Sequence, residues 1–129
     1  INELTFADLQ NCNGDLKILT PHFGNLVKSN INEKIGIINY DFNGFDVGFR
    51  EDLGGFGITN SNVSMTIQGI TFTIGDNISV LGSNIVFNSD LDGSKSILYQ
   101  FCVGCNDFIA IDFDQQTKII TAIYYIDMT

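Results

Sequence analysis

The chain of 129 residues has no tryptophan, one proline, one histidine and only six lysines and arginines. Each scarcity excludes something. Nucleic-acid binding needs basic side chains to replace counterions along the phosphates, and six cations against fifteen acidic residues cannot supply them. The same imbalance disfavours an anionic membrane surface. No apolar run approaches the roughly 20 residues that cross a bilayer as a helix, so no membrane insertion is expected. A lone histidine, His22, directly after Pro21, leaves no imidazole for a Ser-His-Asp arrangement elsewhere, and no serine stands in a Gly-x-Ser-x-Gly elbow. Phosphate-cradling patterns are missing as well: Gly54-Gly55-x-Gly57 has no following lysine and no convincing helix. No enzyme activity is expected.

What is present is a core. Hydrophobic residues make up 44% of the chain and eleven of them are phenylalanine, enough for one domain spanning residues 1–129 without dependence on metal or disulfides. The net charge of −9 selects a cationic partner, or none.

Alternation dominates the pattern. Ile35 to Phe42, then Asn43-Gly44, then Phe45 to Phe49 predicts a hairpin, since Asn-Gly favours a type I′ turn. Val63, Met65 and Ile67 alternate with polar residues, as do Ile70, Phe72 and Ile74, giving one bent strand or two. Ile85-Val86-Phe87 opens a further strand. Ile97, Tyr99 and Phe101, then Ile109, Ile111 and Phe113, then Ile119, Ile123 and Tyr125 each line one face of a strand. Tyr124 and Ile126 make the last strand apolar on its other face too, which predicts a central strand covered on both sides. Helices are few. Leu4, Phe6 and Leu9 fit a short helix or a strand face, Leu16 to Leu19 reads as a short strand, and Phe23, Leu26 and Val27 fit a helical turn. Asp76 is a candidate N-cap for a short helix carrying Ile78 and Leu81 and closed by Gly82. The expected fold is mostly β: a curved antiparallel sheet, or a small sandwich or barrel, of six to eight strands with one or two short helices. The string Ile74-Gly75-Asp76-Asn77-Ile78-Ser79 resembles a segment of small bacterial envelope proteins, too short to name a family.

Four groups of residues bear chemistry. Cys102-Val103-Gly104-Cys105 is the most pointed. Redox catalysis would need a helix after the first cysteine to lower its thiol pKa, and the residues that follow read as a strand. Cys102 and Cys105 with Cys12 and His22 make a Cys₃His zinc inventory, although Cys12 and His22 stand ten positions apart, outside the usual ligand spacing. The alternative is a plain turn with free or locally bridged cysteines. Asn88, Asp90, Asp92 and Gly93 overlay half of a calcium loop, but its closing glutamate position holds Tyr99. No cofactor is therefore expected, with zinc and calcium as the alternatives. Asp112 and Asp114 are a candidate carboxylate pair on one side of a strand. Finally, Arg50 to Asn62 reads as a long Gly- and Asn-rich loop in which Leu53, Gly54, Gly55 and Phe56 would meet a partner.

These readings converge on a non-catalytic interaction domain, of immunity or inhibitor type, that binds a basic protein through an acidic surface. The alternative is a structural or apolar-ligand-binding domain of the bacterial envelope. A chain starting at Ile1 is consistent with a removed leader, which favours the periplasm or cell envelope over the cytoplasm.

Overall fold

Residues 1–82, 88–89, 96–101 and 104–127 are described by a computed structural model. The chain opens with α1 (Phe6–Asn11) and α2 (Leu16–Phe23). Thr5 caps α1 by accepting from the Asp8 N–H, and Asp15 caps α2 by accepting from the Lys17 N–H. The second cap overrides the strand pattern of Leu16 to Leu19. Pro21 sits in the last turn of α2, where one missing N–H is tolerated, and Gly24 closes the helix at φ 83°.

Ten strands follow among the described residues: β1 (Leu26–Asn32), β2 (Ile37–Phe42), β3 (Phe45–Arg50), β4 (Asp52–Ile58), β5 (Met65–Ile67), β6 (Ile70–Phe72), β7 (Asn88–Ser89), β8 (Ser96–Gln100), β9 (Asp107–Phe113) and β10 (Ile120–Asp127). Eight of them form one antiparallel sheet in the order β1-β2-β3-β4-β10-β9-β8-β7. β5 and β6 pair separately, joined by Gln68 and Gly69, both with positive φ. The mostly β expectation holds, and β10 is central, flanked by β4 and β9. A 3-10 helix, Ile78–Leu81, follows β6. Its cap is Asn77, accepting from the Ser79 N–H, whereas the Asp76 carboxylate accepts from the Thr73 N–H.

Three local expectations are corrected. Residues 26–32 are a strand, not the end of a helical turn, because they pair with β2 from Leu26 to Asn32, with only Val27 bulged out of the ladder. The β2–β3 turn is not type I′: Gly44 takes φ 92° but Asn43 does not join it on the positive side. Its side chain instead accepts a hydrogen bond from Asn60. The largest change concerns residues 50–62, since Asp52–Ile58 is a full strand between β3 and β10. A bulge explains why its pattern did not read as one. Gly48 pairs with Gly55 but Phe49 pairs with Leu53, leaving Gly54 as the extra residue. The extra residue resets the alternation, so Leu53, Phe56 and Ile58 all reach the core. Ile85-Val86-Phe87 lies outside the described residues.

The core lies on one face of the large sheet, beneath both helices. Phe23 of α2 stacks on Phe45 at 4.0 Å, Phe45 meets Phe56 at 5.5 Å, and Phe56 stacks on Tyr125 at 5.5 Å. Phe6 of α1 closes the row edge-on to Tyr125 at 5.0 Å. Each such ring contributes about 2–3 kcal/mol by burial, and each pair about 0.5–1.5 kcal/mol more. Tyr125 also donates a hydrogen bond to Asp107 at 2.9 Å. Burial first, then the Asp107 carboxylate, raises its phenol pKa.

Candidate functional site: the sheet face away from the helices

Strand alternation puts a second set of side chains on the opposite face. One row, read through the cross-strand pairs, runs Lys28, Asp41, Asp46, Gly57, Tyr124, Ala110, Leu98. The next runs Asn30, Asn39, Gly48, Gly55, Ile126, Phe108, Gln100. Three regions adjoin along these rows. Leu98, Phe108, Tyr124 and Ile126 form a half-buried apolar region over β8, β9 and β10. Gly48, Gly55 and Gly57 then leave a floor without side chains across β3 and β4. Beyond it stand Asp46 and Asp41, both exposed and directly opposite one another. The two helices lie on the other face and cover none of this.

A Cβ at any of these glycines would meet a close neighbour. A Cβ on Gly57 would lie 2.8 Å from a carboxylate oxygen of Asp46, and one on Gly48 would lie 2.7 Å from the Asn39 side-chain oxygen. A Cβ on Gly55 would press on the Tyr125 backbone carbonyl at 3.2 Å. The polar side chains therefore lean over the glycine floor. Asp46 accepts a hydrogen bond from the Gly57 N–H. Even so, its pKa is raised, by partial burial and then by the charge of Asp41. Lys28 stands across from Asp41 and Arg50 across from Asp52, but the cross-strand neighbours of Asp46 are Asp41 and Gly57. Asp46 is thus an acid held beside a like charge, with no cation directly opposite. Such a group favours an incoming guanidinium or ammonium, and the glycine floor lets a partner approach the backbone closely.

No protein family model matches the chain, and no curated protein matches it. Solved structures of two bacterial proteins are among those similar to it. One is a cysteine-rich secretory protein from Staphylococcus aureus, 17% identical with a TM-score of 0.57, covering 98% of this chain and 47% of its own. The other is an extracellular protein containing a SCP domain from Bacillus anthracis, 13% identical with a TM-score of 0.59, covering 99% of this chain and 47% of its own. The likeness is one of fold. The chain spans about half the length of each of these structures, 47% in both cases.

Of the residues singled out from the sequence, all but Gly55 fall elsewhere. Cys12 and His22 border the same surface depression, so the structure brings those two together. The Cys12 thiol is buried and free, donating to the Leu9 carbonyl at 3.2 Å. His22 Nδ1 lies 2.8 Å from the Asn2 carbonyl oxygen. Cys105 is disulfide-bonded in the turn between β8 and β9, which removes it as a thiolate ligand. Cys102 lies outside the described residues. Among the described residues no three His, Cys, Asp or Glu side chains converge as a metal site would need. Of the calcium loop, Asp90, Asp92 and Gly93 lie outside the described residues, and Asn88 belongs to β7. Tyr99, at the position of the missing glutamate, belongs to β8 and packs edge-on to Phe101 at 5.5 Å. Asp112 and Asp114 do not form a carboxylate pair on a strand. Asp112, on β9, accepts from the Tyr124 hydroxyl at 3.3 Å, while Asp114 lies past the strand end and accepts from the N–H groups of Gln116 and Thr117.

Leu53, Gly54, Gly55 and Phe56 are not a partner-facing loop. Leu53 and Phe56 are each 4% exposed, with their side chains in the core. Gly55 does belong to the glycine floor, but as a strand residue. Asp41, Asp46 and Gly57 were missed because the bulge at Gly54 hides the strand. The alternation Gly55-Phe56-Gly57-Ile58 was the available signal: glycine on one face, apolar on the other.

A smaller feature lies at the other end of the core. Ile1, Leu4, Phe6, Met65, Ile67, Tyr99 and Phe101 line a cavity of about 350 Å³ with Glu3, Thr5 and Thr66. Asn2 and Glu3 beside it have φ of 46° and 71°.

Proposed function

We propose that this chain is a non-catalytic interaction domain, of immunity or inhibitor type, whose open sheet face captures a basic protein. The observation that carries the reading is the pair Asp41 and Asp46 beside the glycine floor. A partner side chain with an apolar stem and a cationic head would rest its stem against Tyr124 and Ile126 and its charge against Asp46. The net charge of −9 steers such a partner from a distance and speeds its capture. The two similar structures, described as a secretory and an extracellular protein, support an extracellular or envelope setting.

The test uses a labelled extended peptide of alternating arginine and leucine, with a glutamate–leucine peptide as control. Fluorescence anisotropy should show the basic probe binding, weakening steadily from low to high salt, and the acidic probe not binding. Asp41→Lys together with Asp46→Lys should weaken binding of the basic probe at least tenfold. Equal binding by the charge-reversed variant would overturn the proposal.

A second reading rests on the cavity beside Phe6 and Tyr99, whose apolar lining suits a small apolar ligand. A naphthalene-sulfonate dye tests it. Dye fluorescence that Met65→Trp abolishes supports a ligand site there, and fluorescence unchanged by that variant counts against it.

A further inference from the structure

At one edge of the large sheet β1 is seven residues long and exposed from its second residue onward. Its outward backbone groups, on the side away from β2, have no strand to pair with among the described residues. Five large hydrophobic residues are exposed in the described structure, and three belong to β1 and the turn after it: Val27 at 70%, Ile31 at 53% and Ile35 at 50%. Against these stand one lysine, Lys28, and a bulge between Leu26 and Lys28. A long edge with exposed apolar side chains, no proline and one charge is a strand-addition site.

We propose that β1 pairs antiparallel with β1 of a second copy of this chain, about a two-fold axis at Ser29. The sequence Leu26-Val-Lys-Ser-Asn-Ile-Asn32 is what selects a second copy. With Ser29 opposite its own counterpart, Lys28 faces Asn30 and Val27 faces Ile31. Each exposed apolar residue thereby meets the other, and no like charges are opposed. The contact is isologous, so both copies use the same strand and the assembly closes at two. It also joins the two large sheets into one and leaves the face carrying Asp46 free in both copies. One strand on each side buries less than a stable dimer interface, so the dimer is a weak one that forms at high concentration. Because each copy carries a charge of −9, added salt strengthens it. That is the opposite salt response to the binding proposed for the open face, and the two proposals stand or fall separately.

Sedimentation equilibrium from about 10 μM to 1 mM reads the outcome, in the range where weak interfaces associate. The mass should rise from 14.2 kDa toward twice that value, more steeply at higher salt. Val27→Lys with Ile31→Lys, both exposed and so neutral for folding, should stay monomeric with an unchanged circular dichroism spectrum. Ser29→Cys should form an intermolecular disulfide under mild oxidation much faster than Lys28→Cys, because only position 29 meets itself across the axis. A monomer throughout the range, a dimer that the double lysine variant leaves intact, or equal cross-linking at positions 28 and 29 would each overturn the proposal.

Discussion

Replacing Asp46 with asparagine removes one of two carboxylates that face each other across β2 and β3 while keeping the oxygen that accepts from Gly57. The magnitude follows from the pairing. Directly opposed residues have Cβ atoms about 5 Å apart, and two charges at about 5–6 Å in a water-like medium repel by about 0.7 kcal/mol. Both acids are exposed, so screening lowers this to about 0.3–0.6 kcal/mol at ordinary salt. Asp46→Asn should therefore be more stable than the parent at pH 7, by about that amount. The sign with pH follows from the raised pKa of Asp46. The native state holds that proton to higher pH than the unfolded chain does, so the parent gains stability as pH falls through the native value. The advantage of Asp46→Asn should accordingly be full above the native pKa and close by about pH 4, where the unfolded carboxyl protonates. Urea unfolding of both proteins between pH 4 and 8 measures it. An asparagine variant less stable than the parent at pH 7, or an advantage independent of pH, would refute the like-charge reading. A double-mutant cycle with Asp41→Asn should return a coupling of the same few tenths of a kcal/mol.

Two further outcomes test the fold around the site. Ile123, fully buried on the central strand, should lose about 2–5 kcal/mol on replacement by alanine, read by urea unfolding, and a loss below about 1 kcal/mol would contradict its central placement. Tyr125→Phe removes the hydroxyl that Asp107 accepts from and should cost about 1–2 kcal/mol. Alkaline difference absorption should show a tyrosine ionising above the ordinary phenol range, and that component should vanish in Tyr125→Phe. Since its folded pKa is raised, stability should fall as pH climbs past about 10, where the unfolded phenol ionises.

Much of the sheet was legible where apolar residues alternate cleanly. The β2–β3 hairpin, the β5–β6 hairpin, and β8, β9 and β10 all follow period two, and the double-faced apolar pattern of β10 marked it as central. Tyr124 and Ile126 are nevertheless half-buried rather than covered, shaded by neighbouring strands on a face the helices do not reach. Elsewhere local chemistry outweighed periodicity. The Asp15 cap turned Leu16 to Leu19 into a helix, and pairing with β2 turned a polar run into β1. The candidate site was hidden for a single reason: Gly54 inserts a residue into β4, and a glycine-rich strand with a phase shift looks like a loop. The acids were visible as sequence, but only the register of β2, β3 and β4 puts Asp41, Asp46 and Gly57 in one row.

The most direct test of the central claim is an amide-resolved NMR titration with the arginine–leucine probe. Binding at the open face should move the resonances of Asp41, Asp46, Gly48, Gly57, Tyr124 and Ile126 together, with one affinity. Shifts clustered instead on Met65, Ile67, Tyr99 and Phe101, or none up to millimolar probe, would contradict it.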